Sequence, residues 1–293
     1  MYKPVISLTT DFGEHDPFVG IMKGVILSIN PCVRIVDLCH QVPAHRILEA
    51  SFLLSSSYRY FPDGTIHLVV VDPGVGSRRR PILVQTPQFF FVAPDNGVLS
   101  YLYEEHAGRQ RPDQEQHGQE RADLRVFHVT ERRYFLPEIS RTFHGRDIFA
   151  PAAAWLSTGL SPQAFGPMIE DYLQLEVPKP RCLAPHVFEF QIVHIDTFGN
   201  LITSIGQDFF FREISQGQDS AQGQIQGQRF LLEIASHTIS SLQTHYAAIH
   251  NSSQIGAIFG STGNLEIFAN KASASQLLHV DVGDTGKITF TFE

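Results

Sequence analysis

Cysteine is scarce and unpatterned in this chain. Cys32, Cys39 and Cys182 are the only three in 293 residues, none lies in a CxxC pair, and an odd count at irregular spacing excludes a disulfide framework. A reducing, cytoplasmic setting fits that usage. Long apolar runs are also missing. No window of about 18 apolar residues occurs, and the opening MYKPVISLTTDFG has no basic segment leading into an apolar stretch, so neither a membrane span nor an export signal is expected. Positive charge is in short supply: Lys+Arg number 22 against 30 Asp+Glu, a net charge of -8. Without a basic stripe to neutralise phosphates, no nucleic-acid partner is expected. Several catalytic signatures are absent as well. There is no GxxxxGK[ST], no HExxH, no GxSxG and no His or Cys pair at zinc spacing, which removes the main support for phosphate-loop, zinc-protease and serine-hydrolase chemistry.

What is present is apolar mass. Hydrophobic residues make up 43% of the chain and Phe alone contributes 23, a load that water does not tolerate unburied. In the first half, β-branched runs alternate with helical patterns, the signature of a mainly parallel sheet with crossover helices. Strands are predicted over 5–9, 33–37, 66–71, 81–86, 89–92 and 125–129. Phe18, Met22, Val25, Ile26 and Ile29 lie at helical spacing, with Pro17 before them and Asn30-Pro31 as a stop. Further helices are predicted over 47–58 and 147–158. Residues 104–123 hold almost no apolar side chains and read as a solvated loop, as do 215–228. Residues 171–186 carry Pro178, Pro180 and Pro185 and break the rhythm, so they read as a linker. Beyond it come strands at 187–195, 201–205, 230–234, 255–259, 265–268 and 287–292, with weak helical periodicity. The expected division is an α/β domain over 1–170, the linker 171–186 and a small barrel or sandwich over 187–293.

Polar residues gather at the predicted carboxyl ends of strands, where open α/β sheets place their ligands. Asp11 follows the first strand in TTDFG, Asp72 the third in VVVDPGVG, and Asp95-Asn96-Gly97 the strand FFFVAP. Each has a plain alternative, because Asp and Asn before Gly often close turns. Gly74-Val75-Gly76 lacks the third glycine of a dinucleotide fingerprint. Arg78, Arg79 and Arg80 follow Asp72 closely enough for one of them to fold back onto it, and the sequence does not say which. His144 lies in FHGRDIFAP, a polar cluster opening an Ala-rich helix whose amino end favours negative charge. In the second half, Asp196 to Asn200 (DTFGN) and Ser261 to Glu266 (STGNLE) combine glycine with hydrogen-bonding side chains, and Tyr246 can offer an aromatic face.

Taken in order, TTDFG, VVDPGVGSRRRP, APDNG, FHGRDIFAP, IDTFGNL and GSTGNLEI are much more specific than any one of them. The chain closely resembles the S-adenosyl-L-methionine (SAM) hydrolase, or SAM hydroxide adenosyltransferase, family, relatives of the fluorinase and chlorinase. The resemblance spans nearly the whole chain. It implies a Rossmann-like amino-terminal α/β domain, a carboxyl-terminal β-barrel, and a homotrimer whose active sites lie between the first domain of one subunit and the second domain of its neighbour. It also implies hydrolysis of SAM to adenosine and L-methionine with no metal or redox cofactor. By motif position the catalytic set is Asp72, Arg79 and His144. Asp11 holds the ribose hydroxyls, Asp196 and Ser261 the methionine end, and Asn200, Tyr246 and the Glu266 segment the adenine. In the related halogenases the position matching Asp72 is not aspartate, which favours water over halide as the nucleophile. The alternatives are a chloride-using 5′-halogenase and a non-catalytic SAM or adenosine sensor.

Overall fold

The computed structural model describes residues 3–108, 124–215 and 229–291. Two compact units divide the chain, Met1–Val177 and Pro178–Glu293. The predicted loop over 104–123 is in part a helix, since its first five residues end a helix Ser100–Gly108 and 109–123 lie outside the described residues. Of the second polar segment, 216–228 also lie outside them, as does residue 292 of the last predicted strand.

The first unit is built on a seven-stranded sheet of β1 (Val5–Thr10), β2 (Arg34–Cys39), β3 (Ile66–Val70), β4 (Pro81–Gln85), β5 (Phe90–Pro94), β6 (Arg125–His128) and β7 (Met168–Ile169), in the order β2-β1-β3-β5-β4-β6-β7. β2, β1, β3 and β5 are mutually parallel, β4 runs against β5, and β6 runs against β4 and hence with the parallel set. The sheet is therefore mainly parallel, as the alternating pattern predicts. Every residue of β1 and β3 is buried, which is why their apolar residues appear on both faces, with only the buried Ser7, Thr9, Thr10 and His67 interrupting them.

On β3, alternate residues face opposite sides. Ile66, Leu68 and Val70 join the core formed with Met22 and Ile26 of α1 (Phe18–Ile29), while Val69 and Val71 join the core with Ala50 and Leu54 of α2 (Ile47–Ser55) and Leu102 of α3 (Ser100–Gly108). Helices thus cover both faces, and the loops at the strand ends are left to form sites. α4 (Ala150–Leu156) packs its alanines on the α1 side and is preceded by a π-helical turn, Gly145–Phe149. Pro151 has no N–H, so the Asp147 carbonyl is free, and it accepts instead from Leu136 N at 2.9 Å.

The second unit holds an antiparallel sheet of β8 (Arg181–Ala184), β9 (Val187–Ile195), β10 (Leu201–Gly206), β11 (Arg229–Ile234), β12 (His237–Ile239), β13 (Ile255–Phe259), β14 (Asn264–Ala269) and β15 (Thr285–Thr291). The path β12-β11-β15-β9-β10-β14-β13, with β8 on β9, curls until Leu242, just past β12, bridges Ala257 on β13, giving the nearly closed barrel that the sequence pattern and the resemblance imply. β8 lies within the predicted linker. Two helices, α5 (Gln207–Ser215) and α6 (Ala274–Leu278), interrupt a region predicted as strands alone. α5 buries Phe210 and Ile214 at i and i+4, and the Phe210 ring is ringed by Phe211, Phe230, Phe259 and Phe290.

Candidate active site

Thr10 pairs with Val70 in parallel register, so the chain leaves β1 and β3 at the same end of the sheet, delivering Asp11 and Asp72 there. The turn after β3 is set by backbone bonds from Val75 N to Asp72 O (3.2 Å) and Ser77 N to Gly74 O (3.1 Å). Gly76 has φ +77°, and a Cβ there would stand 2.4 Å from the Arg141 carbonyl oxygen, so the turn requires glycine twice over. Folding back, Arg79 Nε donates to both oxygens of Asp72 at 2.9 Å each, and Nη2 also donates to Oδ2. The same Nη2 lies 2.8 Å from His144 Nδ1. Arg78 is exposed, and Arg80 is committed to Asp95 and Asp171. The fold therefore selects Arg79 from the three arginines.

This trio is held on every side. The Asp72 and Arg79 side chains are only 5% and 8% exposed, and the Arg79 guanidinium lies 4.9 Å from the centre of the buried Phe149 ring, a cation–π support that adds to the ion pair. A guanidinium can only donate, so His144 Nδ1 must accept, which places the proton of the neutral ring on Nε2. The His144 pKa is lowered, first by burial and then by the positive charge of Arg79. His144 therefore stays neutral to lower pH than an ordinary histidine, with Nε2 as its donor. The preceding loop is anchored by Asp147, fully buried, whose Oδ2 accepts from Ser140 N at 2.8 Å, while Ser140 Oγ accepts from Phe143 N at 3.0 Å.

Asp11 borders a separate cavity of ≈ 530 Å³ with Gly13, Glu14, His15, His40 and Gln41. Its Oδ2 accepts from His45 N at 3.2 Å. The APDNG segment is structural. Asp95 accepts from Arg80 Nε and Leu173 N at 2.8 Å each, and Asn96 Nδ2 donates to Val71 O at 2.9 Å, bracing the end of β3 directly before Asp72.

The second unit contains a cavity of ≈ 820 Å³, and Asp196, Asn200, Tyr246, Ser261 and Glu266 all line it. Asp196 Oδ1 accepts from Phe198 N and Asn200 N at 2.9 Å each, and Oδ2 from Asn200 Nδ2 at 2.8 Å. Three of its roughly four acceptor positions thus go to shaping the DTFGN turn. Tyr246 donates its hydroxyl to Glu266 Oε2 at 2.8 Å. Burial raises the Glu266 pKa, with Asp196 adding to the effect, and burial beside Glu266 pushes the Tyr246 hydroxyl up to about 12. Phe198, 77% exposed, and Lys271 also line this cavity. Phe198 falls within the DTFGN motif without being singled out there, and Lys271 carries no pattern that sequence reading could flag. A Cβ at Gly260 would stand 1.6 Å from Glu266 Oε1. Gly260→Ala must therefore displace that carboxylate. The expected result is a rise of about tenfold in KM with a smaller change in kcat, read by steady-state kinetics, and an unchanged KM removes Glu266 from the substrate contacts.

Residues 6–166 match the SAM hydroxide adenosyltransferase N-terminal domain and 190–287 the C-terminal domain of the same family. A curated "(R)-S-adenosyl-L-methionine hydrolase" from Salinispora tropica is 30% identical over 98% of each chain. Its counterpart from Methanocaldococcus jannaschii is 29% identical over 98% of this chain and 96% of its own. A solved structure of an uncharacterized conserved protein from Thermotoga maritima superposes with a TM-score of 0.81 at 32% identity, covering 97% of this chain and 99% of that one. Fluorinases match less well, as with that of an Actinoplanes species, 26% identical over 69% of this chain.

Proposed function

The chain belongs to the SAM hydroxide adenosyltransferase family, and from that premise we infer that it is a hydrolase converting SAM and water to adenosine and L-methionine by in-line attack at C5′. The observation that carries this reading is the Asp72–Arg79–His144 trio at the carboxyl end of β3. The substrate is a sulfonium, so methionine departs as a neutral thioether and needs no general acid. The difficulty is water, whose pKa of about 15.7 makes it a poor nucleophile. Asp72 accepts a hydrogen bond from the attacking water and Arg79 stabilises hydroxide-like charge as it develops. His144, with its proton on Nε2, donates toward the water oxygen and fixes it behind C5′.

Asp11 is assigned to the ribose hydroxyls, Asp196 and Ser261 to the methionine end, and Asn200, Tyr246 and Glu266 to the adenine. The shared lining of one cavity by these last five residues supports the assignment. Because the trio belongs to the first unit and that cavity to the second, the family's homotrimer, with sites shared between the first domain of one subunit and the second domain of its neighbour, is the assembly we propose. Co-expressing two inactive variants, Asp72→Asn and Gly260→Trp, tests it: partial recovery of activity is expected, and none is recovered if each subunit works alone. Three free cysteines and a metabolite substrate support the cytoplasm as its setting. Among the described residues no helix is long and apolar enough to cross a membrane.

The deciding experiment incubates the protein with SAM in ¹⁸O-labelled water, with and without chloride. Adenosine carrying ¹⁸O at the 5′-hydroxyl, together with methionine, is expected in both buffers and from the (R) sulfonium epimer in preference to the (S). A 5′-chloro nucleoside formed only with chloride makes the protein a halogenase, and bound but unconverted SAM makes it a sensor.

A further inference from the structure

Asp11 stands on a stretch without regular structure between β1 and α1, so a carboxylate that must meet two vicinal hydroxyls there needs an external support. Residues 40–45, which follow β2, touch that stretch at three points. His40 O accepts from Gly13 N at 2.7 Å, His40 Nδ1 is hydrogen-bonded to Thr10 Oγ1 at 2.9 Å, and His45 N donates to Asp11 Oδ2 at 3.2 Å.

The direction of these bonds follows from the donors available. The Asp37 carboxylate can only accept, so Nε2 of His40 is the donor on that side and Nδ1 is left to take the Thr10 hydroxyl hydrogen, while Thr10 Oγ1 accepts from Phe12 N at 3.3 Å. His40 Nε2 donates to Asp37 Oδ1 at 3.0 Å, and Asp37 Oδ2 accepts from Lys23 Nζ at 2.6 Å. Burial raises the Asp37 carboxyl, but hydrogen bonds from Lys23 and His40 outweigh it and hold the group below its usual range, so the end of the chain stays anionic. Thr10 and His40 are both buried, where such bonds are strongest and costliest to lose. Asp11 and His40 border the same cavity, yet His40 is spent on Thr10 and Asp37 and has no ring nitrogen left for a substrate.

We propose that His40 is a positioning residue for the reaction: backed by Asp37 and Lys23, it fixes the Thr10–Gly13 turn so that Asp11 meets the ribose hydroxyls in one orientation. This rests on the reading of Asp11 given above, and the test separates the two. Adenosine and 2′,3′-dideoxyadenosine are titrated into wild type, Asp11→Ala, His40→Ala, His40→Asn and Thr10→Val. Thr10→Val is nearly isosteric and keeps the fold if His40→Ala does not.

Asp11→Ala, His40→Ala and Thr10→Val are each expected to lower the preference for adenosine over the dideoxy compound about tenfold. His40→Asn, which retains an acceptor near the Nδ1 position, restores most of it. The Asp11→Ala/His40→Ala double variant falls no further than Asp11→Ala alone, as expected for residues acting through one contact. With SAM, KM rises more than kcat falls. A merely structural role weakens both nucleosides equally and leaves their ratio unchanged. If Asp11→Ala lowers the ratio while His40→Ala and Thr10→Val preserve it, the positioning role is overturned and the reading of Asp11 stands. If Asp11→Ala itself preserves the ratio, that reading falls and the proposal with it.

Discussion

Asp72→Asn is expected to lower kcat by about 10²–10⁴-fold, the usual range for loss of a positioned acid–base group, while SAM affinity stays within a few fold of wild type. The separation follows from geometry. Asp72 and Arg79 spend most of their hydrogen-bonding capacity on each other and on His144, whereas the residues assigned to the substrate's two ends line the cavity of the second unit. Loss of Asp72 therefore removes a contact to water rather than to SAM, and an interaction made only in the transition state lowers kcat and kcat/KM together. Asparagine is preferred to alanine because it leaves Arg79 an acceptor. A bare buried guanidinium costs about 3–5 kcal/mol of stability and would confuse inactivity with unfolding.

Arg79→Lys is expected to fail nearly as badly. An ammonium is a point charge that cannot bridge both Asp72 oxygens and reach His144 Nδ1 at once. Since burial and Arg79 lower the His144 pKa, the acid limb of activity should lie at lower pH than an ordinary histidine would give, because a protonated Nδ1 faces the Arg79 donors. Full turnover by Asp72→Asn, with SAM binding intact by calorimetry, removes Asp72 from the chemistry.

How much of this was legible in the sequence depended on how local the physics was. β1 and β3 are buried on both faces and so read as strands from Val, Ile and Leu, which outnumber or equal their polar residues. α3 was lost because its second half is polar, and its stability comes from one buried face, with Leu102 and Tyr103 in the core and Glu105 paired to Arg59, rather than from any pattern of its own. α5 was hidden the same way, since two apolar positions one turn apart resemble alternation in a region of strands. At the site, Asp72 and His144 stood out because glycine and proline mark their turns. The choice of Arg79 needed Asp95, Asp171 and the path of the chain, which fix Arg80 elsewhere. The segment Asp95-Asn96-Gly97, at a strand end but readable as a plain turn, uses its side chains to pin Arg80 and the end of β3. His40 carried no flag at all, because two of its three contacts, to Thr10 and Gly13, come from residues about thirty positions away and only Asp37 is near in sequence.

Acid should destabilise this protein well above the carboxylate range, and His67 is the reason. It is the second residue of β3, fully buried, against the rings of Tyr58, Phe61, Phe89 and Phe91. Nδ1 is hydrogen-bonded to Ser7 Oγ at 2.6 Å, and Nε2 has no partner among the described residues. Burial lowers its pKa from 6.5 to about 3. The unfolded chain therefore takes up a proton at this residue below pH 6.5 while the folded one does not, so the contribution is complete above 6.5 and is lost as pH falls toward 3. One pKa unit corresponds to about 1.4 kcal/mol, so the full window is worth on the order of 4–5 kcal/mol, a large part of the stability of an ordinary domain. Asp37 and Asp147 have lowered pKa values, and their contributions are lost only as pH falls below the unfolded carboxylate range. In the interval from 6.5 to about 4.5 His67 therefore acts together with His128 and His144, whose pKa values are also lowered, and against Glu266, whose raised pKa favours the folded state as pH falls there. Ser7→Ala/His67→Leu replaces both partners with apolar groups, which leaves no orphaned hydroxyl. Compared with it, wild type should lose about 1.4 kcal/mol more per pH unit across that interval in urea titrations. Parallel curves for the two proteins would mean that His67 takes up its proton inside the folded core.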